Sequence, residues 1–325
     1  MRGIESSIFV GTLSIGIRLR MAMGQREFDF APLKITRGGD VHVLTGTQGE
    51  VVKIDQSGKL LGSVTIPFPA PILDSVIIDN HWIGVWLDRE FRQARMASLP
   101  IDLEWRDGAS REMLRSSINS PAKNEVLPSN SLWHRVLDSE PMKIGVCEGN
   151  IVFATISGIY MIDTDANEIW RGLLPRWPKI SSISAYDSIV GVTGFSEGLA
   201  IWSKGGGVSV LDPSNGLEIY SRVIDFGDSV SNVIFSEEGG WFVMLHEGSF
   251  SVMEKIESSH NSFRTKGPIL DADFSCGSWN WTGWRQDGSL TGSSVRISDR
   301  DNVGVSIIGN RVILANDGSW SEFRH

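Results

Sequence analysis

A short turn, usually marked by glycine, recurs along this chain at intervals of about 40 residues and constrains the fold more than any other feature. In most copies the glycine separates two apolar stretches, as expected of a tight turn between antiparallel β-strands. The marked positions are LSIGI at Gly16, TQGEV at Gly49, ISGIY at Gly158, KGGGV at Gly206, HEGSF at Gly248, QDGSL at Gly288 and NDGSW at Gly318. An eighth position, LDREF around Arg89, has the same place without glycine. The spacing predicts a repeat of small antiparallel sheets.

A second marker is an aspartate that ends a strand shortly after such a turn. The segments VVKIDQSGKLL, IYMIDTDANEIW and VSVLDPSNGLEIY place Asp55, Asp163 and Asp212 in register. We predict that each carboxylate accepts hydrogen bonds from backbone N–H groups of its own turn. The D-x-D-x-N string that begins at Asp163 lacks the glycine and the final glutamate of a calcium-binding loop, so a structural turn is predicted there.

These segments also resemble a known repeat. A strand that ends in Asp, a turn with Gly or Asn, and a strand with an aromatic residue together resemble the PQQ-like repeat of β-propellers and are similar to WD40-like blades. Trp–Asp pairs at blade ends are absent, so the PQQ-like repeat is the closer of the two. The resemblance implies an all-β propeller. It implies no one chemistry, because that family includes enzymes, assembly scaffolds and proteins without a cofactor.

The repeat predicts a single β-propeller domain over residues 1–325, with seven four-stranded blades. Pairing between N-terminal and C-terminal strands, the former near Ser7–Leu13, would close the ring and remove free sheet edges. The eight turn markers leave a ring of eight blades as the alternative.

One segment, from Gly108 to Glu140, breaks the period and is rich in Ser, Asn and Pro. It is predicted as an irregular insertion between two blades, with Ser110 capping a short helix over Arg111–Ile118. Two interpretations of this insertion stay open. It is either a gate that folds over a neighbouring surface or a passive linker.

Charge and hydropathy argue against two kinds of partner and indicate a location. The formal net charge of −9 argues against binding to phosphate backbones, so nucleic acid is not a predicted partner. No apolar run approaches the roughly 20 residues that span a bilayer, so no membrane association is predicted. The stretch Ile8–Ile17 imitates a short signal-peptide core, but Glu5, Arg18 and Arg20 are unsuitable flanks. A cytoplasmic location is predicted, with export as the alternative.

The usual catalytic and metal-binding patterns are missing from the sequence. The six histidines are not at metal-ligand spacing, and Cys147 and Cys276 match no zinc pattern. There is no nucleophile elbow and no phosphate-binding P-loop. We therefore predict no cofactor, no metal and no catalytic residue. Whether the chain is an enzyme stays uncertain, and a non-catalytic role is favoured.

Blade topology predicts where a partner would bind. In a four-stranded antiparallel blade, the turn between the second and third strands lies on the same face of the disc as the link to the next blade. The recurring turns and the insertion are therefore predicted on one acidic face. The residues predicted to bind a partner there are Glu50, Asp88, Glu90, Trp133, Glu247, Asp287 and Asp317. An acidic rim attracts basic peptides, so we predict a monomeric scaffold for a protein or basic peptide partner.

The tryptophans support a second function as the alternative. Trp279, Trp281 and Trp284 crowd the segment SWNWTGWRQDG, and most tryptophans of the chain are predicted to pack between blades. Any that remain exposed would offer a stacking surface for a ligand. The resemblance to PQQ-like propellers implies the alternative function, a small-ligand-binding or enzymatic propeller with its site in the central channel.

Overall fold

The computed structural model describes residues 28–119, 126–182, 187–315 and 318–324. Within these residues seven antiparallel sheets follow one another along the chain, and each forms one blade of a β-propeller. The predicted all-β fold and the count of seven blades, rather than eight, are confirmed. The predicted pairing of Ser7–Leu13 with the C-terminal strands lies outside the described residues.

The blades are built as follows, in chain order. Blade 1 contains β1 (Pro32–Thr36), β2 (Val41–Gly46) and β3 (Val51–Asp55). Blade 2 contains β4 (Ile72–Ile78), β5 (His81–Asp88), β6 (Gln93–Pro100) and β7 (Trp133–Val136). Blade 3 contains β8 (Pro141–Cys147), β9 (Asn150–Thr155), β10 (Gly158–Ile162) and β11 (Glu168–Gly172). Blade 4 contains β12 (Ile189–Phe195), β13 (Gly198–Ser203), β14 (Gly207–Leu211) and β15 (Glu218–Val223).

The last three blades follow the same plan. Blade 5 contains β16 (Val230–Ser236), β17 (Gly240–Leu245), β18 (Ser249–Met253) and β19 (Asn261–Arg264). Blade 6 contains β20 (Ile269–Ser275), β21 (Ser278–Gly283), β22 (Gln286–Thr291) and β23 (Ser294–Asp299). Blade 7 contains β24 (Gly304–Ile308), β25 (Arg311–Leu314) and β26 (Trp320–Glu322). In blade 1, isolated bridges from Leu60 and Thr65 to β3 occupy the place of a fourth strand.

Large aromatic rings fill the space between the blades. The first strands of neighbouring blades contact one another around the axis, and the sheets diverge outward from there. The ring centroids of Trp202 in blade 4 and Trp241 in blade 5 are 5.3 Å apart, and both side chains are buried. Trp279 and Trp281 of blade 6 are buried as well, whereas Trp284 is 55% exposed. The predicted packing role is confirmed for these four buried rings.

The three aspartates make the predicted turn contacts, with Asp55 as the last residue of β3 and with Asp163 and Asp212 directly after β10 and β14. Asp55 accepts hydrogen bonds from the backbone N–H groups of Ser57 at 2.8 Å and Lys59 at 2.9 Å. Asp163 and Asp212 accept equivalent bonds from residues two positions further on, at 2.9 and 2.8 Å. The pKa of each carboxyl is lowered mainly by a hydrogen bond from a side chain of its own turn. For Asp163 this donor is the side-chain amide of Asn167.

An indole from the preceding blade covers each of these turns. Trp170 Nε1 donates a hydrogen bond to the carbonyl oxygen of Pro213 at 2.7 Å, and Trp133 Nε1 donates to that of Thr164 at 2.7 Å. The Trp320 ring of blade 7 packs against Gly58 in the turn of blade 1, without a hydrogen bond from its indole N–H. The local turn motif therefore also joins one blade to the next, including blade 7 to blade 1.

The prediction that residues Gly108–Glu140 link two blades is wrong. The strand Trp133–Val136 lies inside this segment and pairs with β6 as the fourth strand of blade 2. Its sequence, WHRV, has no clear apolar alternation because an outer strand has little to bury, and long-range pairing decides its structure. The predicted helix is confirmed as α1 (Arg111–Asn119), with Ser110 Oγ accepting the Met113 N–H at 3.3 Å.

Buried Lys53 of β3 fixes the path of the chain between β6 and the insertion. Its Nζ donates hydrogen bonds to the carbonyl oxygens of Ile101 and Leu103 at 2.9 and 2.8 Å, and burial lowers its pKa. Further along, the Gly108 N–H donates to the Ile66 carbonyl at 2.9 Å. The insertion thus runs alongside blade 1 and brings α1 to the turn between β5 and β6.

The second helix of the described residues is short. It is α2 (Pro178–Ser181), in the link between blades 3 and 4, and Ile180 is its buried residue. Neither α1 nor α2 is long and apolar enough to cross a membrane, and no other helix in the described part of the chain is.

Candidate partner-binding site

A groove of about 720 Å³ lies beside α1, where blades 1 and 2 meet. It is lined by Gln48 and by residues from three segments, 66–71, 87–90 and 107–111. We call this space the flap groove and residues 108–119 the flap. The groove is bounded by a second-to-third-strand turn and by the link between two blades, which is the face predicted from the blade topology.

Two acidic residues at the end of β5 hold an arginine of the flap. Arg111 Nη1 lies 2.7 Å from Asp88 Oδ2, and Arg111 Nη2 lies 2.8 Å from Glu90 Oε2. The Asp88 side chain is 2% exposed and the Glu90 side chain 57%, so one carboxylate is buried and the other faces solvent. Arg115, one helical turn further along α1, contacts the other Glu90 oxygen at 3.4 Å.

An aromatic ring completes this arginine site. The guanidinium carbons of Arg111 and Arg115 lie 4.9 and 5.5 Å from the centroid of the Phe91 ring. The Phe91 N–H donates to Asp88 Oδ1 at 2.9 Å, which fixes the ring beside the carboxylate. The hydrogen bond from Arg111 lowers the pKa of Glu90, and the same bond raises the pKa of Arg111. Paired carboxylates over an aromatic face are suited to binding guanidinium groups.

The structure brings some of the predicted rim residues together. Asp88 and Glu90 lie at the flap groove, and Glu50 lies at the adjacent turn of blade 1, where its Oε2 accepts the Gln48 N–H at 2.8 Å. The insertion reaches this face as predicted, although it does so from within blade 2. The partner-binding role of these residues stays a prediction.

Glu247 lies apart from that group, at the turn between β17 and β18 in blade 5. It lines a second pocket of about 540 Å³ together with Asp228 and Arg264. The Glu247 N–H donates to Asp228 Oδ2 at 2.7 Å, while its own side chain is exposed. Glu247 and the flap groove therefore belong to different blades.

The predicted position of Asp287 on an exposed turn is wrong. The turn of blade 6 is at Trp284 and Arg285, and Asp287 lies inside β22 with a side chain that is 0% exposed. It is held there by an ion pair with buried Arg300 and by the Thr282 hydroxyl, which donates at 2.7 Å. Asp317, the remaining predicted acidic residue, lies outside the described residues.

Trp133 does not lie at the acidic turns with which it was grouped. It is the first residue of β7, and its half-buried ring packs between blades 2 and 3. Because its indole N–H bonds to Thr164, the side chain already has a structural partner within the chain. The Trp133 ring therefore packs between blades and does not line the flap groove.

Replacement of Trp133 by phenylalanine is expected to lower the free energy of unfolding by about 1 kcal/mol, because the Thr164 carbonyl loses its donor while the aromatic packing stays. Denaturant unfolding measures this difference. Trp284→Phe, which changes an exposed indole, is the matched control and should change stability by less than about 0.5 kcal/mol. Equal stabilities of the two variants would contradict the structural role of the Trp133 indole.

Sequence reasoning missed two residues of the site. Phe91 follows Glu90 directly in LDREF, so its position next to an acidic turn was a readable signal. Leu114 is 1% exposed and packs into the core cluster with Trp82 and Trp105. The only signal in the sequence was the presence of this leucine on a nine-residue helix whose other residues are mostly polar.

The comparisons with solved structures agree with this architecture. The β-propeller domain of Cps50 (Swd1) from Myceliophteria thermophila matches with a TM-score of 0.64 and 11% identity, over 92% of this chain and 97% of that one. The WD40 β-propeller domain of Doa1 matches with a TM-score of 0.61 and 8% identity, over 92% and 94% of the two chains. BamB from Moraxella catarrhalis matches with a TM-score of 0.52 and 12% identity, over 90% and 84%.

This likeness is one of fold. It confirms the predicted resemblance to WD40-like and PQQ-like propellers at that level. No family model matches the chain, and no curated protein matches it in sequence. Any function has therefore to be argued from the residues of the chain itself.

Proposed function

We propose that this protein is a non-catalytic interaction scaffold that binds an arginine-containing segment of a protein partner in the flap groove. The observation that carries the proposal is the pairing of Arg111 with Asp88 and Glu90 beside the Phe91 ring. The groove already binds guanidinium groups of its own chain. A basic partner would present the same chemistry, and it would exchange with Arg111 and Arg115.

Burial and exposure at the groove favour such an exchange. Arg111 is 45% exposed, and Arg115 and Glu90 are 64% and 57% exposed, so water screens the ion pairs with Glu90 and weakens them. An incoming arginine would therefore replace weak contacts, while the buried Asp88 carboxylate would keep a cationic partner throughout. The acidic formal charge of the chain would also speed the approach of a basic segment.

The fold supports the same role in general terms. A propeller is a rigid disc whose loops can be varied for binding. The similar domains of Swd1 and Doa1 are β-propellers too. A cytoplasmic location and a monomeric state are part of this proposal.

A peptide exchange experiment tests the proposal. The probe is a fluorescein-labelled peptide that copies residues 108–119, GASREMLRSSIN, and the control peptide carries glutamine at both arginine positions. In low salt, the Arg111→Ala/Arg115→Ala protein should bind the arginine peptide at least about tenfold more tightly than the unmodified protein does, because its groove is vacated. Adding Glu90→Gln should reverse the gain, and adding Glu247→Gln should not. Fluorescence anisotropy measures all four affinities.

Three results would count against the proposal. The arginine and glutamine peptides would bind alike, the vacated groove would give no gain, or Glu90→Gln would have no effect. The Glu247→Gln control separates binding at the flap groove from a general attraction to the acidic face.

A further inference from the structure

A second site lies at the axis of the disc. In every blade the pairing between the first and second strands shifts register just before the third residue of the first strand. Such a bulge changes the direction of the side chain at that place. The charged residues found there are Lys34, Asp74, Lys143 and Asp271, and all four line a central cavity of about 410 Å³. Cavities of roughly 300–1,000 Å³ hold small molecules in other proteins.

One wall of this cavity has a surplus of positive charge. Asp74 of blade 2 receives two ammonium groups, Lys34 Nζ at 2.5 Å and Lys143 Nζ at 3.2 Å. One carboxylate faces two cations, so one positive charge is not neutralised. Burial and the neighbouring Lys34 charge lower the pKa of Lys143 despite its bond to Asp74. The Lys34 side chain is 41% exposed, which shows that solvent reaches this wall.

The wall across the axis has the opposite surplus. In blade 6, Asp271 lines the cavity and is paired with Arg37, which directly follows β1 of blade 1 and lines the cavity as well. Asp273 lies two residues further along the Asp271 strand, on the same side of the sheet and next to the lining. Arg37 also donates to the Ile307 carbonyl at 3.1 Å. Arg37 is paired with Asp271 and is also affected by the nearby charge of Asp273, so two carboxylates face one guanidinium and one negative charge is not neutralised. Burial raises the pKa of Asp273, with Asp271 adding to the effect.

The space between these walls is uncharged. Blades 4 and 5 contribute Gly191, Thr193, Asn232 and Val233 to the lining, and none of these carries a charge. Blade 6 lies across a seven-bladed ring from blades 2 and 3, so the two surpluses face each other over the cavity. Burying a charge without a full partner costs free energy, so a ligand that supplies the opposite charge should bind there.

We infer that the central channel binds a small zwitterion, with its carboxylate against Lys34 and Lys143 and its ammonium group on the side of Asp271. The inference rests on the charges of the channel alone and is independent of the flap groove. A singly charged ligand would neutralise the surplus charge of one wall and leave the surplus charge of the other wall unpaired. The separation of the two charges in the ligand therefore decides the affinity.

A series of unbranched amino acids tests this inference and measures the span. The probes are glycine, β-alanine, 4-aminobutyrate and 6-aminohexanoate, with butyrate and butylamine as singly charged controls. Isothermal titration calorimetry should show one preferred chain length. Butyrate and butylamine should each bind at least about tenfold more weakly than the preferred zwitterion. Equal binding of butyrate and 4-aminobutyrate, or no binding of any member, would overturn the inference.

The surplus charges allow variants that keep the ion pairs of the fold. Lys143→Met leaves Asp74 paired with Lys34, and Asp273→Asn leaves Asp271 paired with Arg37. Each variant should weaken the preferred zwitterion at least about tenfold. Lys204→Met, at the exposed turn of blade 4, is the matched control and should bind as the unmodified protein does. Unchanged affinity in Lys143→Met with retained folding would also overturn the inference.

Discussion

Replacement of Arg300 by methionine is expected to lower the free energy of unfolding by about 3–5 kcal/mol, because it leaves the Asp287 carboxylate buried without a counter-charge. Arg300 Nε lies 3.0 and 3.1 Å from the two carboxylate oxygens, and the two side chains are 2% and 0% exposed. Arg300 Nη2 also donates to the Glu322 carbonyl at 2.7 Å, so the same side chain joins blade 6 to blade 7. Denaturant unfolding measures the loss.

Two further variants make the cause visible. Adding Asp287→Asn to Arg300→Met should restore part of the stability, because an uncharged amide costs less to bury than a carboxylate. Arg296→Met, on the exposed side of β23, should change stability by less than about 0.5 kcal/mol. A loss below about 1 kcal/mol for Arg300→Met, or a double variant less stable than the single one, would show that the ion pair is not what holds Asp287 in place.

Asp287 also shows where sequence reasoning ends. The string QDGSL resembles a two-residue hairpin turn, and the local pattern alone places the aspartate in solvent. What puts it inside β22 is Arg300, 13 residues away, and a local pattern carries no information about that pairing. By contrast, the turn contacts of Asp55 and Asp163 were predictable, since each carboxylate bonds to residues of its own turn. Interactions within a few residues can be read from sequence, and distant ones cannot.

The insertion shows the same boundary between local and distant effects. The Ser110 cap and the helix after it were predictable, because an N-cap acts on the N–H groups next to it. The strand that begins at Trp133 was not predicted, because its existence depends on pairing with β6, more than 30 residues earlier. The acidic groove was predicted in part. The positions of its carboxylates could be predicted from the spacing of the turns. The burial of Leu114 on the flap could not, because it depends on core residues that are distant in the sequence.

Truncation of that leucine gives the second large effect. Leu114→Ala should open α1 without unfolding the propeller and raise the hydrogen-exchange rate of residues 111–119 by about 30-fold or more. A buried leucine contributes about 2–5 kcal/mol, and every 1.4 kcal/mol is a factor of ten. Leu114 is 1% exposed, whereas its neighbour Met113 is 59% exposed, so Met113→Ala is the matched control and should exchange as the unmodified protein does.

The comparison with the arginines decides how a partner enters the groove. Arg111→Ala/Arg115→Ala removes two exposed ion pairs with Glu90 and one between the half-exposed Arg111 and buried Asp88, and it should speed exchange of α1 by about tenfold at most. If it speeds exchange more than Leu114→Ala does, charge holds the flap and a basic partner would have to displace the whole helix. If Leu114→Ala also speeds exchange in β17, its effect is global and says nothing about the flap. With the expected result, Leu114 keeps α1 in place while arginines exchange on Asp88 and Glu90. A partner would then bind without the cost of unfolding the flap.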